Sequence, residues 1–197
     1  MIHQDWKSVI FVDQKLFWLD TTETHSWQRE GKRETVETSR WTKKVHCWAA
    51  IGYYHKCRIY FFEKNLTADL YQSILERSLP PQPSFDCPRE YKSRWHFVQD
   101  NDPKHKAAGS MDLLQRLVPG RILEHPPNSP DFNILENIWS HLDREIRPSR
   151  VTTIRGLKRK LQTLWEDLPW DLVRELVDSM PRRLQQAIDR NGKRTDY

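Results

Sequence analysis

Residues 9–20 read VIFVDQKLFWLD: four β-branched or aromatic residues, an aspartate, then a second apolar run. The composition predicts a strand, and Asp13 stands in the middle of it, where Asp is disfavoured. A carboxylate on a half-buried sheet costs free energy unless it is hydrogen-bonded or meets a cation. For this residue alone two readings stay open: it faces solvent on the polar side of the pleat, or it serves a ligand.

Outward from this strand, the polar and aperiodic stretch 21–44 is expected to be a long loop. Residues 45–54 and 57–63 read as two strands joined by a tight turn near Tyr54 and Lys56. Thr67 is placed to cap a helix carrying Leu70, Tyr71, Ile74, Leu75 and Leu79, stopped by Pro80 and Pro81. A proline-containing loop at 82–92 precedes RWHFVQD at 94–100, a short buried-type strand. A helix over 106–117 and a brief strand over 121–124 follow. Pro126, Pro127 and Pro130 extend the chain before a helix over about 131–146, with Ser129 as its cap and Pro130 at its first position. Further helices are expected at roughly 152–166, 169–180 and 181–191, the last closed by Gly192. Strands first, then strands alternating with helices, predict an α/β fold: a mixed sheet flanked by helices, with a C-terminal helical extension. No linker interrupts residues 1–197, so one unit is expected, with a core of about 1–147 and a helical tail of about 148–197.

The 197 residues are 37% hydrophobic and 30% charged, which suits a globular chain with a real core. No apolar run reaches the length of a membrane span, so no membrane role is expected. Cys47, Cys57 and Cys87 form no disulfide framework and fit a reducing compartment, nucleus or cytosol. The net charge of +5 lies wholly in residues 147–197, where 12 Lys and Arg face 7 Asp and Glu. A basic C-terminal third is compatible with phosphate contact, although basic helix faces are most often simply solvated.

Two further carboxylates share the anomaly of Asp13. Asp100 ends an apolar strand, where α/β sheets bind ligands; the bland alternative is a turn cap in the Asp-Asn-Asp-Pro run. Phe132, Leu135, Ile138, Trp139, Leu142 and Ile146 make an apolar helical stripe. Glu136 lies roughly 40° from Phe132 and roughly 60° from Trp139 around the helix, so it projects from the buried stripe, while Asp131 belongs to the first turn. Clustered carboxylates repel unless a cation neutralises them. Mg²⁺ takes a few carboxylates plus water and substrate phosphate, and two ions roughly 3.5–4 Å apart can serve both sides of a phosphate in displacement. The residues alone thus point to metal-dependent phosphodiester chemistry.

In order, VIFVDQ, FVQDNDPKH and HPPNSPDFNILENIW resemble the three acidic blocks of Tc1/mariner transposases, on the Tc1-like side, and LVDSMPRRLQQAIDRNGKRTDY is similar to the end of such proteins. The resemblance spans nearly the whole chain. It implies an RNase H-like fold, a DDE triad of Asp13, Asp100 and Glu136, and two Mg²⁺ or Mn²⁺ ions, with Asp13 bridging both. It implies that Asn101, His105 and Asn137 either support the triad from behind or contact DNA. The implied reaction is strand cleavage at transposon ends and attack of the freed 3′-OH on target DNA at a TA step. The implied partners are double-stranded DNA and a second copy of the chain, in the nucleus, without a small-molecule cofactor.

Several positions depart from the family pattern. Gln14 stands where an acidic residue is usual, Ile134 where proline is usual, and Thr42 to Val45 replace a glycine-rich run. Between Asp100 and Glu136 lie 35 residues, one more than usual. The helix-turn-helix domains that precede the catalytic domain in relatives do not precede residue 9 here, so this chain is expected to bind DNA through phosphates, weakly and with strong salt dependence. Candidate DNA contacts are Arg29, Lys32, Arg33, Lys43 and Lys44 of the long loop, and Lys158, Arg159 and Lys160. A domesticated, catalytically inactive DNA- or protein-binding module is the alternative function. A zinc site from His46, Cys47, His55 and Cys57 is disfavoured, because adjacent strand residues point to opposite faces. Most of the tryptophans are expected to pack in the core.

Overall fold

A computed structural model describes residues 4–19, 43–79, 82–92, 94–149, 151–193 and 195–197. The long loop, with Arg29, Lys32 and Arg33, therefore falls outside the described residues, as do Pro80 and Pro81.

The expected strand over 9–20 forms β1, Val9–Trp18, inside a sheet that has seven strands among the described residues. Its first four residues are buried and the next four, starting with Asp13, are half-buried. On one side it pairs antiparallel with β2, Lys44–Gly52. On the other it runs parallel to β6, His96–Val98, which in turn runs parallel to β7, Ile122–Leu123. The sheet is mixed, as element order predicts.

The second expected strand pair departs from a plain hairpin. The chain turns after Gly52 and returns as β3, His55–Lys56, and β4, Tyr60–Phe62, both antiparallel to β2. Between them Cys57 interrupts the ladder: its backbone N–H donates to Ala50 O at 2.9 Å, and its Sγ accepts from Ala50 N at 2.8 Å. A side chain occupying a ladder position splits one strand into two, and this competition is invisible in hydrophobic patterning. β5, Gln82–Pro83, adds a short edge beside β3.

α1, Ala68–Ser78, starts at Thr67, whose Oγ1 accepts from Leu70 N at 3.2 Å, as expected. The helix predicted over 106–117 is two helices, α2, Pro103–Lys106, and α3, Ala108–Leu117. Ala107 between them is extended, at φ −56° and ψ 139°. α2 begins early because Asp102 caps it and Pro103 presets its first turn.

α4, Ile134–Ile146, packs on β1. α5, Ile154–Glu166, and α6, Trp170–Asp178, pack against both α4 and β2 or flank them, and α7, Met180–Asp189, follows. The helical extension after residue 147 is thus present, and it covers the sheet rather than projecting from it. Trp165 of α5 stacks on Trp139 of α4 at 5.9 Å, and its Nε1–H donates to Cys57 O at 2.9 Å. Trp6, Trp48, Trp95, Trp139 and Trp165 are buried, as expected of core tryptophans, whereas Trp18 is exposed.

Candidate active site

Strand register brings the first two carboxylates together. The parallel pairing of β1 with β6 ends at Phe11 and Val98, and Asp13 and Asp100 each lie two residues beyond. Asp13 shares a strand face with Phe17, and both meet Trp139 of α4. The indole of Trp139 takes Phe17 on edge at 5.9 Å, and its Nε1–H donates to Asp13 Oδ2 at 2.8 Å.

Asp100 is held from its own loop. Its Oδ1 accepts from Asp102 N at 3.1 Å and from Nδ1–H of His105 at 2.5 Å. His105 is buried and packs on Tyr71, whose hydroxyl donates to Gln99 Oε1. Asp102 has the bland role: it caps α2 and pairs with Lys104.

Glu136 arrives on the first turn of α4, and the start of that helix differs from expectation. Ser129 makes no capping bond; its Oγ donates to Pro127 O at 3.0 Å. A single turn of 3₁₀ helix, Pro130–Phe132, comes first, and Asn133 is the true cap. Its Oδ1 accepts from Leu135 N at 3.1 Å, and its Nδ2 donates to Val12 O at 2.9 Å. The second bond decides the position of the cap, because a buried backbone carbonyl next to Asp13 needs a donor. One buried amide thus ties the helix of Glu136 to the strand of Asp13.

Asp13, Asp100 and Glu136 line one cleft of about 320 Å³, together with Asn101, His125 and the loop of Pro126, Pro127 and Pro130. Among the described residues no lysine or arginine lines it. Asp13 is pushed up to about 7, first by burial and then by the negative charge of Glu136, with a smaller contribution from Asp100; the Trp139 bond and the Gln14 N–H oppose this. At Asp100 burial again works upward, but the bond and charge of His105, the Asp102 N–H and His125 outweigh it, leaving this acid below its ordinary value. Neighbouring carboxylates with opposed shifts mark a functional site more often than a structural one. Among the described residues no group of three or more His, Cys, Asp or Glu side chains is arranged to hold a metal ion as it stands. The set is open, which suits a hard cation that keeps water and takes phosphate oxygens.

The other expected site residues divide. Asn101 lines the cleft, with its Nδ2 bonded to His125 O at 2.8 Å. His105 sits behind Asp100, not on the cleft surface. Asn137 does not line the cleft; its Oδ1 accepts from Arg183 at 2.9 Å. Lys43 and Lys44 are exposed, and the Lys44 ammonium lies 5.7 Å from the Trp18 ring. Lys158 pairs with Glu63 at 3.1 Å, Arg159 is exposed and Lys160 half-buried, and none of the three lines the cleft. Gln14 points into a separate depression with Lys15 and Lys104, so its departure from an acid removes nothing from the cleft. Ile134 is fully buried, an apolar replacement in an apolar place. Asn133 and Trp139 went unrecognised as site residues. Trp139 reads as one more member of the apolar stripe, and nothing in its spacing reveals where the indole N–H points.

Comparison with known proteins gives a consistent result. Residues 8–158 match the DDE superfamily endonuclease family. The Tcb2 transposase of Caenorhabditis briggsae is 29% identical over 201 residues, covering 98% of this chain and 72% of the relative. The Tc1 transposase of Caenorhabditis elegans has the same identity and coverage. Among solved structures, the mariner Mos1 paired end complex with Mg superposes with a TM-score of 0.77 at 18% identity, over 98% of this chain. This chain spans only 58% of that Mos1 chain, and 86% of the isolated catalytic domain of Mos1 transposase, which superposes with a TM-score of 0.72 at 16% identity. The sheet and its flanking helices thus have the RNase H-like fold of the Mos1 catalytic domain, and the Tc1/mariner resemblance of the motifs extends over the chain.

Proposed function

Because this chain belongs to the DDE superfamily endonuclease family, we propose that it is the catalytic domain of a Tc1/mariner-type DNA transposase. In this reading it cuts DNA strands by hydrolysis and joins the freed 3′ end to a target at a TA step. The observation that carries the reading is the meeting of Asp13, Asp100 and Glu136 in one cleft that, among the described residues, no lysine or arginine lines. Three carboxylate donors, one of them pushed to about 7 by burial and by its acidic neighbours, are the chemistry of a site made for divalent cations. Asp13 would touch two Mg²⁺ or Mn²⁺ ions, and Asp100 and Glu136 one each. When bound, such a pair activates a nucleophile on one side of a phosphate and stabilises the leaving oxygen on the other.

The chain's own residues orient these ligands. Trp139 holds one oxygen of Asp13, His105 holds one oxygen of Asp100 ionised, and Asn133 keeps the Glu136 helix against β1. Pro126, Pro127 and Pro130 restrict the backbone of the cleft wall. Double-stranded DNA, transposon ends and TA target, is the partner this chemistry requires; action as a homodimer and in the nucleus belongs to the same proposal.

The test is a nicking and strand-transfer assay on supercoiled and oligonucleotide DNA with Mg²⁺ or Mn²⁺, comparing the chain with Asp100→Asn. Metal-dependent product absent from Asp100→Asn supports the proposal. Equal product from both proteins, or none from either with either ion, defeats it and leaves a non-catalytic module.

A further inference from the structure

Arg183 on α7 is 0% exposed. A guanidinium is retained at such depth only where it is hydrogen-bonded or otherwise compensated. Its Nη1 donates to the backbone oxygen of Asp131 at 2.7 Å and to Asn137 Oδ1 at 2.9 Å, while its Nε donates to Ser179 Oγ at 2.8 Å. One planar group therefore bridges the turn before α4, the residue after Glu136, and the start of α7. Its Nη2 is buried with no hydrogen-bond partner among the described residues. The ring of Tyr197 covers the group instead, 4.4 Å from its central carbon, a cation–π contact that strengthens as water is excluded.

The same final segment grips the turn a second time. Thr195 is buried, and its N–H donates to Asp131 Oδ2 at 2.9 Å. Asp131 is thus held by its carbonyl from α7 and by its carboxylate from residue 195. Two positions on stands Asn133, whose amide fixes α4 to Val12 beside Asp13. The bonds of Thr195 and Arg183 to Asp131, carried two residues along the backbone to Asn133, therefore connect residues 195–197 with the two elements that hold Asp13 and Glu136. A core that only needed filling would use an apolar side chain here, since a buried cation is seldom the more stabilising choice.

We infer that Arg183, covered by the ring of Tyr197, is a positioning residue that fixes the helix of Glu136 against the strand of Asp13 and so sets the cation affinity of the cleft. This rests on the metal-binding reading of the cleft. Arg183 touches no cleft atom; it acts through Asp131 and Asn137. The support beyond the ligands of a metal site typically changes affinity by about 10–100-fold when removed.

The experiment measures Mn²⁺ binding to the full chain, from the electron paramagnetic resonance signal of free Mn²⁺, alongside thermal unfolding without metal. Arg183→Lys keeps the charge but cannot serve three acceptors in one plane. Tyr197→Ala removes the covering ring, and Tyr197→Phe retains it. The expected result is Mn²⁺ affinity lowered about tenfold or more in Arg183→Lys and Tyr197→Ala, and unchanged in Tyr197→Phe. If Arg183→Lys does not fold, Tyr197→Ala against Tyr197→Phe decides. Lowered unfolding temperatures with Mn²⁺ affinity within about twofold of the unaltered chain would reduce Arg183 to a core support and overturn the inference alone. An unaltered chain that binds no Mn²⁺ would overturn the cleft reading and this inference together.

Discussion

Replacing Asp13 by Asn removes a carboxyl group that the folded chain holds against its tendency to ionise. Its value rises from 3.8 to about 7 on folding. At roughly 1.36 kcal/mol per pH unit, that gap of about 3 units sets a ceiling near 4 kcal/mol. Asp13 is half-buried and shares its repulsion with Glu136, so about 2 kcal/mol is the figure to expect. The sign follows from proton counting. Between pH 4 and 7 the folded chain binds the proton and the unfolded chain does not, so stability falls as pH rises through this window. The metal-free wild type is therefore relatively most stable near pH 4 and carries the full penalty above pH 7. Asp13→Asn abolishes the penalty while its side-chain oxygen can still accept from Trp139. Urea unfolding of metal-free protein should show no gain near pH 4 and a gain of about 2 kcal/mol at pH 8, or about 4–8 °C in Tm. Mn²⁺ should then stabilise the wild type and leave Asp13→Asn unchanged. A gain independent of pH, or an Asn variant less stable than wild type at pH 8, would refute the reasoning.

Other substitutions separate the supports of the site. Trp139→Phe keeps an aromatic ring beside Phe17 and Trp165 but loses the bond to Asp13, so a destabilisation of about 1 kcal/mol is expected, with metal binding shifted to higher pH as followed by Mn²⁺ titration across pH. Asn133→Ala removes both a cap and the donor to Val12 O, and denaturant unfolding should show a loss of about 2–4 kcal/mol together with loss of nicking. Asn133→Asp retains the cap alone and should lose nicking with the smaller share of that stability. Gln14→Asp, which puts an acid where the family resemblance implies one, should change Mn²⁺ affinity negligibly and stability by no more than about 0.5 kcal/mol, because position 14 faces away from the cleft.

Much of this architecture was legible in the sequence because the strongest signals were local and periodic. The run around Asp13 announced the central strand, Thr67 and Gly192 marked helix ends, and the apolar stripe of α4 oriented Glu136 toward the sheet. Two of the departures come from single non-local bonds that outweigh local preference, and a third from a local cap. Cys57 takes a ladder bond and splits a strand, and Asn133 displaces Ser129 as cap because Val12 O needs a donor. Asp102 starts a helix early and leaves Ala107 as a break. The three acids of the cleft were readable as misplaced, but the residues that hold them were not: Trp139, Asn133 and Arg183 look like stripe, turn and basic tail until the chain is folded.

The account depends most on divalent ions occupying the space between Asp13, Asp100 and Glu136. Anomalous diffraction from crystals of the chain soaked in Mn²⁺ addresses this directly. It should show manganese within bonding distance of these three carboxylates, and no peak there in crystals of Asp100→Asn at the position that Asp100 serves. Manganese bound elsewhere, with the three side chains free of it, would contradict the account.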